Sequence, residues 1–274
     1  MKQEIRTVKY DAELKVEAYH FQGIMQKFPN HFHEYYVIGF VEKGQRLLSC
    51  KNKEYTIEPG DLLLFNPRDN HTCEQLDNSR LDYRCINIQS EIMSKTIFEI
   101  TGKEHLPYFT PPVVFRSELV SDLRELHQMM MTEEKDFRKE EIFFFLLKQL
   151  IEEYTEQTVD LENTVQSVEV KTICEFLEKH YMENITLDEL GELTGLSKYY
   201  LLRSFTKQKG ISPYSYLETI RIDKAKKMLE RGILPIDVAL QTGFADQSHF
   251  SNFFKKFIGL TPKQYMNIFK DTHH

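Results

Sequence analysis

The stretch from Ile185 to Met266 writes one pattern twice, and this duplication constrains the chain more than any other feature. The first copy is ITLDELGELTGLSKYYLLRSFTKQKGISPYSYL; the second is ILPIDVALQTGFADQSHFSNFFKKFIGLTPKQYM. Gly195 matches Gly243, Leu201 matches Phe250, Phe205 matches Phe254, Gly210 matches Gly259 and Tyr216 matches Tyr265. Ser212-Pro213 matches Thr261-Pro262. Two copies are too few for a solenoid, which needs about three to bury a continuous core. The pattern reads as one small helical unit used twice.

Each copy predicts a helix, a tight turn and a second helix. Thr186 caps a short helix with apolar positions Leu187, Leu190 and Leu193, and Gly195 supplies the turn. Ser197 caps the next helix, which buries Leu201 and Phe205 four residues apart. In the second copy Ile236, Val238 and Ala239 take the inner positions, Gly243 the turn, Asp246 the cap, and Phe250 and Phe254 the core. Two helices at such a turn form a helix-turn-helix unit, whose second helix enters the major groove of DNA.

With those positions inward, Lys198, Tyr199, Leu202, Arg203 and Thr206 face out in the first copy, with Lys207 beside them. Gln247, Ser248, Ser251, Asn252 and Lys255 face out in the second. Arg forks onto guanine, Asn or Gln onto adenine, and apolar side chains pack on the thymine methyl. A solvated helix face carries similar residues, but two like faces on one chain match a duplex, which offers two like grooves one turn apart. Ser212 and Pro213 begin a connecting helix that runs to Arg231. It spans about 28 Å at 1.5 Å per residue, against about 34 Å between successive groove entries on one face. From Lys198 to Arg231 there are nine Lys or Arg and three acids, an excess suited to phosphate.

At these residues the C-terminal region, 169–274, resembles the AraC/XylS family of bacterial transcription regulators. SPYSYLETIRIDKAKKML and the run from Gly243 to Tyr265 carry the resemblance. The family often has Tyr where His249 stands, Arg where Asn252 stands, and Arg where Met266 stands. The resemblance implies duplex DNA as partner, with RNA polymerase as a further one, and a second head with fewer phosphate contacts than usual.

The net charge of −7 excludes a generic nucleic-acid coat. Charge is uneven: residues 167–274 hold 15 basic and 13 acidic side chains, whereas residues 1–166 hold 20 and 29. The DNA reading falls on the less acidic part. Cys50, Cys73, Cys85 and Cys174 show no paired spacing, so neither a zinc site nor a disulfide frame is expected of them. No apolar run approaches a membrane span, and the N-terminus lacks the apolar core of a signal peptide. A soluble cytoplasmic protein without membrane contact is expected.

Residues 1–115 read as β, in the runs KVEAYHF, HEYYVIGFVE, QRLLSC, EYTI, DLLLF and DYRCINI broken by Gly, Pro and Asn. His31-Phe32-His33-Glu34, Gly44, Pro59-Gly60-Asp61, Asn66-Pro67 and His71 resemble, in order and spacing, a cupin jelly roll of the effector-binding kind joined to AraC-type heads. His31 and His33 share a strand face, and His71 is able to close a metal site with them. Metal-binding cupins usually add a Glu about four residues after the second His, where this chain has Val37-Ile38. Two further readings stay open: histidines that only hydrogen-bond within the barrel wall, and a metal-free effector pocket using His31, His33, Tyr35 and His71. No cofactor and no bound metal are expected.

Residues 117–155 turn helical, with Leu119, Leu123, Leu126 and Met130 on one stripe and Ile142, Phe145, Leu146, Gln149 and Leu150 on another. The resemblance implies that these helices make a homodimer. Met129 to Met131 read as core filler. Polar residues 156–168 read as a linker, followed by a supporting helix near Glu169 to Tyr181 that His180 closes.

The expected fold is α+β: a barrel domain over 1–155, a linker, and an all-α domain of two heads over 169–274. The expected function is a sequence-specific transcription regulator, not an enzyme, controlled by a small effector in the barrel. The alternatives are a metal-dependent cupin enzyme fused to DNA-binding heads and a barrel that serves only dimerisation. Neither a G-x-S-x-G elbow nor a Walker loop occurs.

Overall fold

A computed structural model describes residues 4–77, 79–133, 137–155 and 167–269. The expected linker lies outside these except for Ser167 and Val168. By contact density the chain forms two compact units, one mainly from residues 1–157 and one mainly from 158–274.

The described residues hold ten strands: β1 (Ile5–Asp11), β2 (Val16–Ile24), β3 (Phe28–His31), β4 (Tyr35–Lys43), β5 (Arg46–Cys50), β6 (Lys53–Ile57), β7 (Leu62–Phe65), β8 (His71–Gln75), β9 (Leu81–Gln89) and β10 (Val113–Val114). They form a six-stranded sheet, β1-β2-β9-β4-β7-β10, and a four-stranded sheet, β3-β8-β5-β6. Three helices follow or interrupt them: α1 (Ser90–Thr101), α2 (Val120–Thr132) and α3 (Phe137–Tyr154).

The larger sheet is covered on both faces, which explains its sequence. On one face Ala18, Ile38, Phe40, Leu62, Leu64, Ile86 and Ile88 pack against Met93, Leu123, Leu126, Met130, Phe143, Leu146 and Leu150 of the helices. The alternate residues face the smaller sheet, where Phe65 of β7 stacks on His71 of β8 at 4.1 Å. A strand buried on both sides loses its alternation, so YYVIGFV in β4 is buried throughout.

Two expectations need correction here. Residues 90–101 form α1 inside the region read as all β; Met93 and Ile97 pack it on the core, but Phe98 is exposed and blurs the stripe. In α3 the buried stripe is Phe143, Leu146, Leu147 and Leu150, while Phe145 is 64% exposed. In a run of three phenylalanines periodicity does not choose which one faces in; the packing partner does. The stripe Leu119, Leu123, Leu126 and Met130 is buried as expected, with Met129.

α2 docks through His127, which is 1% exposed. Its Nε2 donates to the Tyr19 carbonyl at 2.9 Å, and its Nδ1 has no hydrogen-bond partner among the described residues. Burial pushes its pKa down to about 4, with the nearby Arg84 charge acting the same way. The folded pKa thus lies below the ordinary value, so the fold favours neutral His127. That contribution is whole above about pH 6.5 and is lost as pH falls towards 4. Acid titration of urea stability is expected to lose ~3 kcal/mol from this group, and His127→Gln is expected to flatten that part of the curve.

From residue 167 on, the described elements are all helices: α4 (Val168–Lys179), α5 (Leu187–Thr194), α6 (Lys198–Lys209), α7 (Pro213–Glu230), α8 (Pro235–Gln241), α9 (Gln247–Ile258) and α10 (Pro262–Ile268). The caps lie where the sequence puts them. Thr186 and Thr261 form full capping boxes with Glu189 and Gln264. Ser197, Ser212 and Asp246 accept from backbone amides three residues on. His180 is the C-cap of α4 and stacks on Phe176. The duplication extends to tertiary bonds: Tyr216 donates to Glu178 and Tyr265 to Glu230, both at 2.8 Å. α4 supports the first head much as α7 supports the second.

Candidate functional sites

Each head presents its second helix from a fixed base. In α6 Leu201 and Phe205 are fully buried, and in α9 Phe250 and Phe254 are. Arg203, Thr206 and Lys207 are exposed on α6, and Leu202 is partly buried. Lys198 and Tyr199 lie in the first turn of α6, and their side chains are outside the described residues. On α9 Gln247, Ser248, Asn252 and Lys255 are exposed and Ser251 is partly buried. Tyr200, His249 and Lys256 are exposed on the same helices and were not among the expected contacts. Each follows or precedes a named position by one, the ordinary error of assigning a helix face without its partner.

Between the heads lies α7, 18 residues long, about 27 Å at 1.5 Å per residue. It is not a phosphate surface throughout. Arg221 and Lys226 are buried, which corrects their inclusion in the basic excess. Arg221 donates to the carbonyls of Tyr181 (2.7 Å) and Glu183 (2.8 Å), and Lys226 lies over the Tyr265 ring. Beside them burial raises the Glu218 carboxyl to about 7. The first helix of the second head is also less buried than expected. Val238 and Ala239 are inside, but Ile236 is 52% exposed, because Pro235 starts α8 one turn from the core.

In the barrel, three of the four expected effector residues, His33, Tyr35 and His71, come together. His31 ends β3, His71 opens β8, and these strands are neighbours in one sheet. His33 and Tyr35, at the start of β4, stack at 4.8 Å, and His33 lies 5.1 Å from the His71 ring. Burial lowers the His71 pKa to about 4. Glu34 is drawn away to Arg68, at 3.1 Å.

The sequence reading missed the polar groups on β2 and β9. Glu17 and Asn87 are buried. Tyr19, Phe21 and Tyr83 form a stacked row. The Tyr83 hydroxyl is buried beside Cys85, and burial raises its pKa well above the ordinary value. The signal was present in KVEAYHF and DYRCINI, where polar and aromatic residues recur at every second position. Cys50, Cys73, Cys85 and Cys174 are all buried. Among the described residues no helix is long and apolar enough to cross a membrane.

These two sites match known families in the same order. Residues 13–147 match the family model of an AraC-like ligand binding domain, and residues 190–268 that of a helix-turn-helix domain. The HTH-type transcriptional regulator YbfI of Bacillus subtilis (strain 168) is 61% identical over 249 residues, which is 91% of this chain and 90% of that one. This chain belongs to the AraC family. It is an AraC-family transcription regulator with an N-terminal ligand-binding domain and C-terminal DNA-binding heads. The fold also resembles that of ToxT from Vibrio cholerae. An apo ToxT variant superposes with a TM-score of 0.58 at 16% identity, over 96% of this chain and all of that one. The unsaturated fatty acid bound wild-type ToxT gives 0.54 at 18% identity, over 99% of each chain.

Proposed function

We propose that this AraC-family regulator reads two successive major-groove segments with α6 and α9, under control of a small effector held in the barrel. The observation that carries the reading is the pair of capped helices with buried Leu201-Phe205 and Phe250-Phe254 and outward polar faces. Arg203, Lys207, Gln247, Ser248, Asn252 and Lys255 are the base and phosphate contacts, with Lys198, Tyr199, Leu202 and Ser251 beside them. The protein works in the cytoplasm as a homodimer through α1 and α3, whose exposed Phe98 and Phe145 want cover, and it meets RNA polymerase when bound. The barrel acts as a binding module rather than an active site.

ToxT in one structure carries an unsaturated fatty acid. In this barrel the buried Glu17 and Asn87 and the Tyr19-Phe21-Tyr83 row suit a smaller, more polar effector with a face that stacks. Effector binding favours one arrangement of barrel and heads and so shifts which sites a dimer bridges.

The test is footprinting of the full chain on its own upstream DNA at fixed salt, with and without a metabolite pool. Two adjacent protected patches per subunit, altered by the pool, are expected. Protection indifferent to every fraction assigns the barrel to dimerisation. Arg203→Ala is expected to weaken binding by about 1–3 kcal/mol and relax selection at one base pair. Equal weakening on all sequences moves Arg203 to a phosphate, and unchanged affinity removes it from the interface.

A further inference from the structure

We infer that Arg203 and Asn252, equivalent positions of the duplicated heads, make the two halves of the DNA site differ by one purine: a guanine under α6 and an adenine under α9. This rests on the two-head reading above and adds to it the base that each head selects.

The equivalence is structural. α6 and α9 are each 12 residues long. Ser197 caps the first through the Tyr200 amide, and Asp246 caps the second through the His249 amide. Each helix ends on a left-handed glycine, Gly210 or Gly259. The amides of these glycines donate to the Thr206 and Lys255 carbonyls, at 2.8 and 2.9 Å. Arg203 is the sixth residue of α6 and Asn252 the sixth of α9, and both are exposed.

Their direction follows from the core. Leu201 and Phe205, both fully buried, stand two residues before and after Arg203. Phe250 and Phe254 flank Asn252 in the same way. A helix turns about 100° per residue, so a residue midway between anchors four apart points roughly 180° from the stripe they form. Arg203 and Asn252 therefore hold the centre of the outward face. Gln208 is also exposed on α6, but its side chain is held by Ser167 and Ser204.

The two side chains then separate the two purines. In the major groove guanine and adenine share the N7 acceptor. Beside it guanine carries the O6 acceptor and adenine the N6 amino donor. A guanidinium has donors only, so its fork matches guanine. The asparagine amide has an acceptor as well as donors, so it matches adenine. One position on one duplicated scaffold thus changes the base read by changing which atom it offers beside N7.

The test is selection by the full chain from a randomised duplex library at fixed salt, for the parent, Asn252→Arg and Arg203→Asn. The parent is expected to enrich guanine at one position and adenine at a second, about one helical turn, or roughly 10 base pairs, away. Asn252→Arg is expected to change only the adenine to guanine, and Arg203→Asn only the guanine to adenine, each switching the preference by roughly 5- to 150-fold. Asn252→Arg is the leading variant, because the longer side chain loses no reach. Both positions are exposed, so both variants are expected to melt like the parent. A two-segment site whose bases ignore both exchanges overturns this inference and leaves the two-head reading standing. So does an even strengthening of all sequences by Asn252→Arg with a steeper salt dependence, which marks a phosphate contact. A parent that enriches no two-segment site overturns the two-head reading and this inference with it.

Discussion

Gly243→Ala is expected to disable the second head, whereas Gly195→Ala, at the matching position of the first, is expected only to weaken its head. Both glycines have left-handed backbone, with φ of +78° and +70°, which costs an alanine about 1–2 kcal/mol. Their surroundings separate them. A Cβ on Gly195 meets nothing within 4 Å, but on Gly243 it stands 2.8 Å from the Met182 carbonyl oxygen, 2.9 Å from that of Tyr181 and 2.9 Å from Arg221 Nη2. Two of these atoms are backbone, and Arg221 is held by its bonds to Tyr181 and Glu183. Nothing flexible gives way, so an overpacking cost of about 1–3 kcal/mol adds to the strain. The expected loss is about 2–5 kcal/mol for Gly243→Ala against about 1–2 for Gly195→Ala. Urea unfolding followed by helical circular dichroism measures both, and footprinting shows which half of the DNA site is lost. Equal effects at the two glycines count against the contacts drawn around Gly243.

Lys139→Met is expected to cost about 3–5 kcal/mol, the range for removing one partner of a buried ion pair. Lys139 is 3% exposed and lies 2.7 Å from both Asp11 and Glu13, pinning the start of α3 to the β1–β2 turn. Without it the Asp11 carboxylate stays buried on that turn, accepting from the amides of Glu13 and Leu14. Adding Asp11→Asn to Lys139→Met is expected to restore part of the loss, since an amide keeps the turn bonds without the charge. A thermal melt of the three variants decides it. If Lys139→Met alone melts like the parent, the pair contributes nothing and α3 is held by Phe143, Leu146 and Leu150.

Much of the second unit was legible in the chain, and less of the first. Helix starts at Thr186, Ser197, Ser212, Asp246 and Thr261 were readable because a cap bonds an amide three residues away. The left-handed turns at Gly195 and Gly243 were readable because few other residues adopt that backbone. The buried phenylalanines of α6 and α9 followed from four-residue spacing. The first unit yielded its strands and its histidine candidates, but α1 was hidden by an exposed Phe98, and the facing of α3 by three successive phenylalanines.

The sequence by itself determined the local structure: where helices begin and end, and that the head is duplicated. These depend on bonds that close within about four residues. Only the tertiary structure decided what those residues meet. It set Gly243 against Tyr181 and Met182 while leaving Gly195 open. It buried Arg221 and Lys226 in a helix that reads as basic surface. It brought the His71 ring of β8 to 5.1 Å from the His33 ring. Burial and proximity are set by elements far apart in the chain, and neither spacing nor propensity carries that information.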